Sequence, residues 1–166
     1  MSASAYRVPA IALAALMTAS FAAPASADLL ARKDLSLDTA LTIATTAAAT
    51  CKGQGHRVSV HVVGRNGEVL VSLRGDNASP HTMEDARRKA YTARTFKMTT
   101  EEFAKLMETN AVRRQQATLP HVIGIPGGVP IKVGNDVIGG VGLSGSPGVD
   151  EPCVRAGLDK VADQLK

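Results

Sequence analysis

The chain has 166 residues, with 19 Lys and Arg against 15 Asp and Glu; 3% of its residues are aromatic and none is Trp. A net charge of +4 is too mild to imply an anionic membrane or a nucleic-acid partner, and so few rings argue against a base-stacking surface. The length suits one domain built on one hydrophobic core.

Residues 1–27 read as a cleavable secretory signal. Arg7 is the only charge before Asp28, the apolar stretch Val8 to Met17 follows, and Ala25-Ser26-Ala27 supplies an A-x-A cleavage site. That stretch is too short to span a bilayer, and no later segment offers a span. Cleavage near Ala27 takes away one basic residue and no acid, leaving residues 28–166 at +3 as a single exported domain. Export to the periplasm or the extracellular space carries Cys51 and Cys153 into an oxidising compartment. A disulfide and two separate buried thiols are equally compatible with that.

Ser36 can cap a helix to about Lys52, with Leu37, Leu41, Ala44, Ala48 and Cys51 on one face and Gly53 and Gly55 ending it. Arg57 to Val63 alternates, Asn66-Gly67 signals a hairpin, and Glu68 to Arg74 alternates again. Gly75 to Pro80 is a polar loop before a helix from about His81 to Phe96, with Met83, Ala86, Ala90 and Ala93 inward. Thr99 and Glu102 form a capping box for a short helix that buries Phe103, Leu106 and Met107 and stops at Asn110. His121 to Ile125, Val129 to Val133 and Asp136 to Leu143 read as strands, with Gly134-Asn135 as the turn between the last two. Asp150 can cap a final helix with Pro152 in its first turn and Val154, Leu158, Val161 and Leu165 along its apolar stripe. The order α-β-β-α-α-β-β-β-α is rich in hairpins. It predicts an α+β fold, a central antiparallel five-stranded sheet flanked by helices.

Most short motifs yield to plain readings. Gly140-Val141-Gly142-Leu143-Ser144-Gly145 fits G-x-G-x-x-G, but only one helix follows it, so it is no dinucleotide fingerprint. Close backbone approach is the simpler use of those glycines. Gly142-Leu143-Ser144-Gly145 lacks the spacing of a nucleophile elbow. His56, His61, His81 and His121 form no zinc motif; His81, in a loop leading into a helix, is the best placed to be a ligand. Arg87-Arg88-Lys89 reads as a solvated helix face. Arg74 and Asp76 can form an ion pair that holds the loop, touch a ligand carboxylate, or belong to a subunit interface.

Val58 to Gly67, the Arg74 to Ala78 loop and Ala86 to Ala93 resemble the first half of the GlcG/HbpS-like haem-binding (haem-degrading) domain family. Gly127 to Val133, Val137 to Gly145 and the helix from Cys153 to Leu158 resemble its second half. The likeness runs from about Leu35 to the C-terminus. It implies a small α+β domain assembled into homo-oligomers, from dimers to octamers, that binds haem or another small ligand. The family's Arg-x-Asp-Gly-Ala pattern reads Arg74-Gly75-Asp76-Asn77-Ala78, with Asn77 in place of Gly; Asn tolerates the left-handed backbone that a Gly there would serve.

The resulting expectation is an exported haem-binding protein in haem handling or redox sensing, with binding favoured over catalysis. His81 would be the axial metal ligand, Arg74 or Arg87 would meet a propionate, and Tyr91 would line the slot. The alternatives are an accessory protein or enzyme for a small organic acid of the glycolate type, and an oligomeric scaffold without catalysis.

Overall fold

A computed structural model describes residues 30–166. The expected signal sequence lies outside the described residues. The chain divides into Met1–Ala31 and Arg32–Lys166, and every element below belongs to the second unit.

Helix α1 spans Leu37–Gly53, and Ser36 Oγ accepts from Thr39 N at 3.2 Å as its cap. Strands β1 (Ser59–Val63) and β2 (Val69–Arg74) form the expected hairpin around Gly67, whose φ is 83°. Helix α2 (Thr82–Phe96) and helix α3 (Thr100–Thr109) follow, α3 opened by the Thr99–Glu102 capping box. Asn110 both ends α3 and caps a further short helix, α4 (Ala111–Gln116), through its side chain. Strands β3 (Gly128–Val133) and β4 (Asp136–Ser144) turn at Gly134-Asn135, and α5 (Asp150–Lys160) leads to a closing 3-10 turn, Ala162–Leu165.

The sheet has four strands in the order β2-β1-β4-β3, all antiparallel. The fifth expected strand, His121 to Ile125, does not form. His121 sits at φ 68°, which breaks an extended run at its first residue, and Pro126 closes the other end. The segment is tied to α2 by side chains instead: Arg88 donates to the Val122 carbonyl at 2.5 Å, and Thr92 Oγ1 accepts from Ile123 N at 2.9 Å.

β1 and β4 are the inner strands and are buried on both faces. One face carries Val60, Val62, Val141 and Leu143 into a core with Ile43, Ala44 and Ala47 of α1 and Val154 of α5. Full burial of each such branched side chain contributes about 1.5–3 kcal/mol. Cys51 and Cys153 are joined within that core, Cα to Cα 5.7 Å, which staples α1 to α5. The stripe on α1 is shifted from the expected one: Leu37 and Leu41 are exposed, and Ala40, Ile43 and Ala47 are inside. The other face of the sheet receives α2. It lies so close that a Cβ on Gly140 or Gly142 would collide with the Ala90 or Ala86 carbonyl. The G-x-G run is therefore helix–sheet contact. Among the described residues, no helix is long and apolar enough to cross a membrane.

Candidate functional site

A cavity of about 970 Å³ opens where the N-terminal ends of α2, α3 and α5 meet the Ser144–Gly148 loop. That is at the upper end of the usual range for small-ligand sites. His81 stands at its α2 rim, exposed, as the residue preceding the helix, and its side chain makes no capping bond. Ile125, Pro126, Pro147 and Pro152 give the cavity apolar walls.

Its floor is ionic. Lys89 Nζ lies 2.8 Å from Asp150 Oδ2 and donates to the Leu143 carbonyl at 3.0 Å; the two side chains are 2% and 5% exposed. Asp150 Oδ1 accepts from Ser146 N at 2.8 Å, so one carboxylate holds both the ammonium and the loop. The aspartate therefore fastens that loop and is not a side-chain cap of α5: it is the first residue of the helix, after an uncapped Val149. Gly127, at φ 118°, is required beside this pair, because a Cβ there would collide with Asp150 and the Leu143 carbonyl. Two further carboxylates on the lining are paired, Glu101 with Lys105 at 2.6 Å and Glu151 with Arg155 at 2.5 Å.

The four residues expected to form one site lie in three places. His81 is on this cavity. Arg74 lines a separate cavity of about 540 Å³ with Lys52, His56 and Arg57, and donates to the Ala78 carbonyl. In that loop Asn77 does adopt the left-handed backbone, at φ 58°. Arg87 and Tyr91 lie on another flank of α2, outside both linings. There Arg87 makes two bonds to Glu84, 2.7 and 2.9 Å, and a third contact to His121 Nδ1 at 2.7 Å. Tyr91 meets the His121 ring edge-on, centroids 5.7 Å apart. The hydrogen bonds of this pair hold the Glu84 carboxyl below its ordinary range and raise the Arg87 guanidinium.

Beneath that cluster lies His61 on β1, 5% exposed, its Nε2 3.1 Å from Ser72 Oγ and its Nδ1 without a partner among the described residues. Burial, then the nearby Arg87 charge, lowers its proton affinity, opposed by Glu84. Among the described residues there is no cluster of three or more His, Cys, Asp or Glu that could hold a metal ion by itself.

Sequence reasoning missed Lys89 and Asp150. Lys89 belonged to the run assigned to a solvated face, yet it is 1% exposed. The signal was its phase: it lies three residues after Ala86 and four before Ala93, on the stripe of α2 that faces the sheet.

A model of the haem-degrading protein HbpS-like family matches residues 35–159. The chain belongs to that family. Among solved structures, a double mutant of Streptomyces reticuli HbpS is 36% identical with a TM-score of 0.75, covering 83% of this chain and 96% of that one. Klebsiella pneumoniae protein ORFY is 25% identical with a TM-score of 0.75, covering 81% and 94%. The PduOC–haem complex, 23% identical with a TM-score of 0.70 over 76% and 94%, shares the fold of this HbpS-like chain. No curated protein sequence matches.

Proposed function

We propose that the protein is an exported haem-binding protein, with the cavity at the start of α2 as its site and His81 as the axial ligand. The observation that carries this reading is the exposed His81 imidazole, which makes no capping bond, on the rim of a cavity with four apolar wall residues. The family is named for haem degradation, and the structurally similar PduOC was solved as a haem complex. The residues present fit the group. Imidazole is a common axial ligand, and Ile125 and the three prolines suit a porphyrin edge. Arg155 spends its Nε and one Nη on Glu151 and keeps its other amino group for a propionate. Bound haem would supply redox and oxygen chemistry; the chain would position it. We propose cleavage near Ala27 and a homo-oligomeric state on the same footing.

Titration of the purified protein with haemin should produce a shifted Soret band. In His81→Ala that band should be lost or moved to the position of unligated haemin. An unchanged spectrum in the variant removes His81 from the proposal, and no band in the wild type removes haem.

A further inference from the structure

The floor of the cavity contains a charged pair that stability does not explain. A buried ion pair is often matched or bettered by apolar side chains of the same size, so its presence asks for another reason. An ammonium has three donors. Lys89 Nζ uses two of them, on Asp150 Oδ2 and the Leu143 carbonyl, and the third has no acceptor among the described residues. The lining carboxylates Glu101 and Glu151 are neutralised by Lys105 and Arg155, and Asp85 stands on the α2 wall. The first turns of α2, α3 and α5 all contribute to the cavity wall, through Thr82, Glu101 and Glu151, and unpaired N–H groups at a helix start attract anions. Ser146 Oγ, in the loop that Asp150 fastens, is buried and has no partner among the described residues.

We propose that Lys89 anchors a ligand carboxylate, its third N–H donating to a carboxylate oxygen that enters the cavity. Asp150 holds the ammonium in place, while Gly127 leaves room for the pair. The carboxylate has two possible sources, a haem propionate or a free small hydroxy acid. The inference rests on the haem reading for the first source only.

The test compares three probes, haemin, haemin dimethyl ester and glycolate, on the wild type and on K89M/D150N. Asn retains an acceptor for Ser146 N, and circular dichroism with the intact disulfide reports that the variant folds. If a propionate is the source, the wild type binds haemin roughly tenfold to hundredfold more tightly than the ester, and the variant binds both alike. If a free acid is the source, glycolate binds the wild type and loses roughly tenfold or more in the variant, while haemin and its ester do not differ. The wild-type comparison of haemin with its ester stands even if the variant does not fold. Loss of the haem reading alone is recognisable: haemin fails to bind, and glycolate binding persists and depends on Lys89. The proposal is overturned if haemin and its ester bind the wild type equally and glycolate does not bind, or if the folded variant binds all three probes as the wild type does.

Discussion

The two faces of the sheet are built on different terms. Toward α1 and α5 the chain sets Val against Ile and Ala and closes the contact with a disulfide. Toward α2 it places Gly140 and Gly142, the Ser59–Thr82 hydroxyl pair, His61 and Lys89. The first face gains stability from apolar area. The second gives up area to bring polar groups close to the sheet, and its ends open on the cavity. The contrast puts apolar packing on one side of the sheet and buried polar groups on the other.

The strongest way to break that contrast is at the ionic floor. Asp150→Ala leaves Lys89 buried and unpaired, and should cost about 3–5 kcal/mol in urea unfolding. K89M/D150L should recover most of that loss. If the double variant is as unstable as the single one, the pair is structural and the division between the faces fails.

On the other face, replacing both Cys51 and Cys153 by Ala should cost about 2–4 kcal/mol, because the bridge joins residues 102 apart. The cavity face should keep its ligand behaviour in that variant at temperatures where it remains folded, read by the same haemin titration. A lost Soret band in the folded protein would show the two faces to be coupled.

The smallest effect is one of pH. Folded His61 resists protonation, whereas in the unfolded chain it takes up a proton near pH 6.5. The unfolded state then binds more protons, so stability should fall as pH drops below about 6.5, by at most about 1.4 kcal/mol per pH unit from this group. His61→Gln keeps a polar partner for Ser72 and should flatten that part of the profile. An unaltered slope would assign the acid sensitivity elsewhere.

Elements fixed by local chemistry were legible in the sequence. The Ser36 cap, the Thr99–Glu102 box, the Gly67 and Gly134 turns and the left-handed Asn77 each rest on neighbours a few positions apart. The family likeness, carried by motifs spread along the chain, is matched by the HbpS-like family over residues 35–159. What was not legible depends on distant partners. His121 to Ile125 has strand composition, but α2 takes its backbone groups through Arg88 and Thr92. Lys89 looks solvated in its run of three bases, and only Asp150, 61 residues on, makes its burial tolerable. Arg74, Arg87 and Tyr91 have the side-chain chemistry for propionates and a slot wall, but side-chain type does not fix which cavity each one reaches. The helical turn of α2 and the bend after β2 send them to separate places.

The Cys51–Cys153 bridge also makes most of the domain a closed covalent ring. All four strands and α2 to α4 lie between the two sulfurs. A protease that cuts once in the exposed stretch around α4 would therefore open the ring without releasing a piece. The nicked protein would run as one band without reductant and as two with it.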